Sequence, residues 1–371
     1  MTKTLNVPFY LKMSQIMIGM VAFFFILYIG QDIIVPLIYA LVIAVLLNPA
    51  VDYLIKKKVN VILAITLVML AAIIVLGGLI YFISAQIANF ADAFPMMKQK
   101  IDVLFNDTVK FISQTFNISS SKIHQWAEKT KSEGLGNSSA LIGQTLGTLG
   151  GFIAVITLIP VYIFMFIYYK PLLLNFLSML SPEGQQGKVK EVLNESRLLI
   201  QSYLMGLVVE AAIVAVLNSI GLLALGIDYA ILLGIIGAIL NIIPYVGGII
   251  AAALSMLMAL ATKSPTYALL VLGVYLVVQF IDNNYIMTKI VASRVKINAL
   301  ISVVIVIIGG VLWGVSGMFL SIPLVAIVKV IFDRIEPLKP WGYLLGDTMP
   351  RAGTKFFSGR KPRTKTTIDP K

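Results

Sequence analysis

Residues 241–248 read NIIPYVGG, and they sit in the middle of Tyr229–Thr262, a run of 34 residues without a charged side chain. As one helix that run would be about 51 Å long, against a hydrocarbon core of about 30 Å. Tilt absorbs only part of such an excess. Proline withdraws a backbone donor and paired glycines loosen a helix. The stretch therefore reads as the tip of a helical hairpin, with Pro244, Tyr245, Gly247 and Gly248 at the turn. Ile297–Val328 has the same form, with GGVLWGVSG (Gly309–Gly317) at its middle, which places Gly309, Gly310, Gly314 and Gly317 at a second tip. The competing reading is that these glycines only let helices approach closely, as small residues do throughout membranes.

Working outward, the whole chain has the composition of a membrane protein. Of its 371 residues 59% are hydrophobic and 12% charged, and mean hydropathy is +0.94; a soluble surface needs roughly twice that charge. Further uncharged runs cover Met13–Ile29, Ile33–Val51, Val59–Ala91, Gly134–Tyr169, Ala211–Ile227 and Ser264–Ile281, each near or above the length that crosses a bilayer. The fold expected is an all-α polytopic membrane protein of about six full spans plus two Gly/Pro-broken hairpins, with a small extramembrane helical domain. No small-residue cleavage site follows the first run, so it reads as a retained span.

Several chemistries are excluded. The chain has no cysteine and one histidine, His124, which leaves no disulfide framework, thiolate cluster or imidazole metal site. No phosphate-binding glycine motif, GxSxG or HExxH occurs, so no enzyme and no cofactor are expected. The net charge of +12 reads as a basic cytoplasmic face and not as a nucleic-acid surface.

The basic residues give an orientation. Lys56–Lys58, the cluster Lys170, Lys188, Lys190 and Arg197, then Lys289, Arg294 and Lys296, and eight basic residues in 337–371 all fall on one side only if both hairpins return to the side they left. Both termini are then cytoplasmic. The division expected is three spans in 1–91, an extracytoplasmic amphipathic helical domain in 92–147, a fourth span in 148–170 and a cytoplasmic amphipathic segment in 171–202. A transport core follows in 203–336 with hairpins at 229–262 and 297–333, then a basic tail in 337–371. Residues 92–147 carry six lysines and five acids, a nearly balanced charge suited to an external domain.

Carboxylates deep in a membrane are costly and rare without a purpose. Glu210 lies in YLMGLVVEAAIVAVLNSIG, and Asp282 in VVQFIDNNYIMTK with Gln279, Asn283 and Asn284 around it. One helical turn separates Gln279 from Asn283 and from Asp282, so the group shares a face that suits a cation, a polyol or a proton in transit. Asn241 and Asn218 are further polar groups for the same cavity. The alternative for Asp282 is an interfacial ion pair with Lys289 or Lys296. Asn48 and Asp52 read as a cap and anchor for the second span.

From Gly221 onward the chain resembles the AI-2E transporters, the autoinducer-2 exporter-like permeases. The resemblance rests on GLLALGIDYAILLGIIGAILNIIPYVGGIIAAALSMLMAL and VQFIDNNYIMTKIVASRVKINALISVVIVIIGGVLWGVSGMFLSIPLVAIVKVI. Ile243–Gly248 and Gly309–Pro323 are its most specific parts, and it extends over about Met13–Ile335. It implies a bacterial inner-membrane permease and a homo-oligomer, a pentamer being one option. Its substrate would be a small molecule such as autoinducer-2, or a monovalent cation. The family's acidic position falls on Asp282. Thr288 stands where a proline is common, and Ile297–Ala299 (INA) replaces a His-Pro pair. Export of a small polar solute is the leading expectation, with sodium or lithium/proton antiport as the alternative and a membrane scaffold binding through 92–147 as the third.

Overall fold

A computed structural model of the chain describes residues 8–116, 119, 121, 125, 149–180, 186–242, 246–292 and 297–347. Most of the expected external domain beyond Phe116, with His124, and the tail from residue 348 lie outside them, as do Pro244 and Tyr245. Among the described residues the structure is helical, with one isolated bridge, Ile297–Gly346.

Helices α1 (Phe9–Ile29) and α2 (Gln31–Lys56) are separated by Gly30 alone. At 21 and 26 residues they are about 32 and 39 Å long, enough to cross a bilayer. α3 (Val61–Phe116) is a single helix of 56 residues. It passes without a break through residue 91, where the sequence reading ends the third span, so the first amphipathic helix of 92–147 continues that span. Leu149–Tyr168 (α4) carries the fourth span, and Lys170–Met179 (α5) turns from it by 64°. Lys170 and Pro171 start a new helix there, proline standing at a position where its missing N–H costs nothing.

α6 (Gln186–Ala224) is 39 residues long, about 58 Å. It combines the amphipathic segment and the fifth span in one rod. Its first half packs on α2 through Val42, Ile200, Tyr203, Leu204 and Leu207. Its second half forms a separate core with the helices that follow. α6 is therefore the spine that both halves share.

The long uncharged run is a hairpin. α7 (Ala230–Asn241) and α8 (Val246–Thr262) are 12 and 17 residues, about 18 and 26 Å, too short to span separately. At Gly247 a Cβ would overlap the Leu240 carbonyl and the Asn241 nitrogen, so the chain has doubled back on itself within seven residues. α9 (Pro265–Ile281) then crosses in the other direction and runs into a π-helical segment, Asp282–Ala292.

α10 (Ala299–Arg334) is the second hairpin. Its backbone leaves the helix at Trp313 (φ −135°, ψ 19°) and Gly314 (φ 60°, ψ −142°). Gly309 and Gly317 would be about 12 Å apart on a straight helix, yet a Cβ on either would overlap the carbonyl of the other. Ser321 Oγ donates to Gly317 O at 2.5 Å in the same contact. A short 3₁₀ turn (Glu336–Leu338) and α11 (Lys339–Leu345) close the described chain.

The hairpins enter from opposite ends. The open end of the first faces the α6–α7 and α8–α9 turns. That of the second faces the far end of α9, beyond the π-helical segment. The tip of the second reaches α1, where Trp313 Nε1 donates to Leu27 O at 2.9 Å. The tip of the first meets the second hairpin, Ile242 packing into the cluster of Val306, Leu320 and Ala326.

Candidate functional site

The sequence places its costliest side chains on three different helices, and the structure brings them together. Glu210 of α6 is 6% exposed and Asp282, at the end of α9, 3%. They lie close enough to interact electrostatically. The first hairpin reaches Asp282 at its tip: Asn241 Nδ2 donates to Asp282 Oδ2 at 2.8 Å.

Glycine is what permits this. A Cβ at Gly248 would meet Gln279 Oε1 and stand 3.5 Å from Asn241 Oδ1, so the bare backbone of α8 lies against the amides of α7 and α9. The hairpin tip thus lies against a polar group of Asn241, Gln279 and Asp282, with Glu210 of α6 within electrostatic reach of Asp282.

The group is not internally complete. Glu210 Oε2 and Asp282 Oδ1 are buried with no hydrogen-bond partner. An orphaned acceptor costs about 1–3 kcal/mol, more when charged, and lipid supplies no donor. Two free carboxylate oxygens on facing helices invite a proton or a small cation. Among the described residues no set of three His, Cys, Asp or Glu side chains forms a metal site.

The remaining predicted residues are distributed differently. Gln279 Nε2 donates to Asn283 Oδ1 at 3.2 Å, keeping the pair on one face. Asn283 and Asn284 are exposed, and Asn284 Nδ2 turns back to Phe280 O at 2.8 Å. Gly309, Gly310, Gly314 and Gly317 build the second tip, whose Trp313 reaches α1. Asn48 and Asp52 do not cap α2, which continues to Lys56. They form a junction instead: Lys170 Nζ donates to Asn48 Oδ1 at 3.0 Å, and Arg197 Nη2 to Asp52 Oδ2 at 3.3 Å.

Sequence reasoning missed three features. Ser255 and Tyr275 share a buried hydrogen bond of 2.9 Å between α8 and α9. Arg334 donates to Glu191 and Glu195 of α6 at 2.7 and 2.6 Å. Asn298 donates to Leu344 O at 2.7 Å and Gly346 O at 3.1 Å while accepting from Ile301 N. Ser255 and Tyr275 have one visible signal, a lone hydroxyl inside an apolar run, and Asn298 stands at the edge of one; the Arg334 pairing has none.

Known proteins resemble this chain in sequence over most of its length. YueF of Bacillus subtilis strain 168, which carries a transport-protein name, is 27% identical over 325 residues, covering 82% of this chain and 84% of its own. The AI-2 transport protein TqsA of Escherichia coli K12 is 24% identical over 321 residues, 86% of this chain and 90% of its own. The profile of the AI-2E family transporters matches residues 17–336, which takes in every helix built into the two hairpins and the carboxylate group. The chain belongs to the AI-2E transporter family.

Proposed function

We propose that the protein exports a small polar solute of the autoinducer-2 class and that Glu210 and Asp282 couple this export to a proton or a monovalent cation. The observation that carries the reading is the Asn241–Asp282 hydrogen bond. It ties a broken helix to a buried carboxylate, so any movement of the tip changes the surroundings of that carboxylate. Broken helices that bring polar backbone and charge to the same depth are how transporters hold a solute within the bilayer. The relative named as an AI-2 transport protein supports the substrate class.

A second reading is sodium or lithium/proton antiport. Its support is the pair of unpartnered oxygens, Glu210 Oε2 and Asp282 Oδ1, one on each of two facing carboxylates. A site of that kind exchanges a proton for a cation without needing an organic solute.

Purified protein in proteoliposomes with a trapped pH dye separates the two. Sodium, lithium and potassium are pulsed in turn, and efflux of labelled autoinducer-2 is followed in parallel. Glu210→Gln and Asp282→Asn should each abolish movement of the transported species while the protein remains inserted and monodisperse. Sodium-dependent proton flux lost in Asp282→Asn assigns antiport. Full activity in both variants sinks the coupling role of these residues.

A further inference from the structure

The four helices around the carboxylates meet again at a second level. On α6, Glu210, Val214 and Asn218 recur every fourth residue, so Asn218 stands on the face of Glu210, two turns and about 12 Å away. The other helices repeat the arrangement. Gly237 lies one turn from Asn241 on α7, Ser255 two turns from Gly248 on α8, and Tyr275 one turn from Gln279 on α9.

The side chains at this level are buried and polar. Asn218 is 2% exposed, Ser255 0% and Tyr275 6%. Tyr275 Oη and Asn218 Nδ2 converge on Gly237, lying 3.0 and 3.4 Å from where its Cβ would stand. Ser255 Oγ and Tyr275 Oη hydrogen-bond to each other. Two hydroxyls carry two protons and this bond uses one, so one O–H remains to be given. Asn218 Oδ1 has no partner. The level therefore holds a spare donor and a spare acceptor but no charge, the complement of a water molecule or of an alcohol.

We infer that Asn218, Ser255 and Tyr275 form a second, uncharged binding layer for an O–H group, filled by water or by a hydroxyl of the passing solute. It lies on the route from the Glu210–Asp282 pair to the end of the molecule that carries Asp228. The inference takes that route from the transport reading above; the layer itself stands on the geometry. The charged layer handles the coupling species, and the neutral layer takes the hydroxyls of the solute without a desolvated charge to overcome.

The chain has no cysteine, so Ser255→Cys puts a single thiol in the layer with little change of shape. Val271→Cys is the control, since Val271 is 0% exposed in the apolar core beside it. Full-length variants in proteoliposomes are treated with methanethiosulfonate ethylammonium, with and without a high concentration of erythritol. Ser255→Cys should react at least ten-fold faster than Val271→Cys. Slowing by erythritol that disappears when Asn218→Leu is added makes a solute hydroxyl the occupant; fast reaction indifferent to erythritol makes it water. Equal rates at the two positions overturn the inference. Thermal unfolding gives a reading that needs no thiol. Asn218→Leu should lower the melting temperature by several degrees if an O–H group is bound. A rise overturns the layer, because it means an orphaned acceptor was removed from a dry core. None of these readouts depends on coupling, so loss of the layer leaves the carboxylate reading standing, and the reverse holds too.

Discussion

Two glycines govern the hairpins, for different physical reasons. Gly247 has no room: a Cβ would overlap the Leu240 carbonyl and the Asn241 nitrogen, which are backbone atoms that cannot rotate away. Gly314 has space around it but an unsuitable backbone for any L residue, at φ 60° and ψ −142°. Strain of the second kind costs of order 1–3 kcal/mol, and overpacking of the first kind a similar amount. Gly247→Ala and Gly314→Ala should each lower thermal stability in detergent. Gly273→Ala should be neutral or stabilising by up to about 1 kcal/mol, since nothing lies within 4 Å of that position and alanine favours a helix. Equal melting temperatures for all three would contradict the folded-back geometry. Both tip glycines were visible in the sequence as breaks in uncharged runs too long for one span, whereas Gly77–Gly78 and Pro160 sit inside continuous helices, so run length and not glycine or proline alone carried the reading. Glu210 and Asp282 were legible as costly residues. Their meeting was not, because periodicity reports which face of a helix a residue occupies and not which helix lies opposite. Ser255 and Tyr275 escaped notice for a simpler reason: one hydroxyl in AAALSMLMAL or LLVLGVYLVV barely disturbs an apolar pattern.

At the scale of elements, the all-helical, many-span character followed from run lengths, and the ends of the helices did not. An uncharged run stops at the first charged residue, whereas a helix continues as long as its hydrogen bonds do. For that reason α3 extends 25 residues beyond Ala91 to Phe116, and α6 starts at Gln186 and not near Tyr203. The second hairpin shows what a run length hides at its base. Asn298 caps the first arm by accepting from Ile301 N, and its amide holds α11 through Leu344 O and Gly346 O. The backbone adds Asn298 N to Leu345 O at 3.1 Å. Both ends of the hairpin are thereby clipped together by three residues at the end of the described chain. Asn298→Ala removes the cap, worth about 1 kcal/mol, together with both side-chain bonds to α11. The expected result is faster chymotryptic cleavage after Trp341 and Tyr343 of α11, at least several-fold, with the transmembrane fragment intact. Unchanged cleavage would mean that the backbone contact alone holds the clip.

At the scale of the whole molecule, the charges fall at one end through contacts that the sequence could only suggest. Asp52 gathers Lys170 and Arg197, at 3.7 and 3.3 Å. Arg334 reaches Glu191 and Glu195 of the same α6. Glu336 accepts a hydrogen bond from Lys339, and this, with Lys188 nearby, holds its carboxyl below the usual carboxylate range. The end of α2, both ends of the second hairpin and the start of α6 therefore share one basic end. Asp228 and Lys263 mark the opposite one, where α6 gives way to the first hairpin and α8 to α9. A membrane protein keeps its lysine- and arginine-rich end in the cytoplasm, and on that ground we propose that the first hairpin opens to the outside and the second to the inside. The carboxylates then lie between two broken helices that approach from opposite faces, which is the arrangement a solute needs to be reached from each side in turn. Single cysteines test this in the naturally cysteine-free chain. Asp228→Cys should react with an impermeant maleimide in intact cells, and Lys57→Cys only after the cells are opened. The reverse pattern would invert the molecule, and labelling of both in intact cells would break the two-ended arrangement altogether.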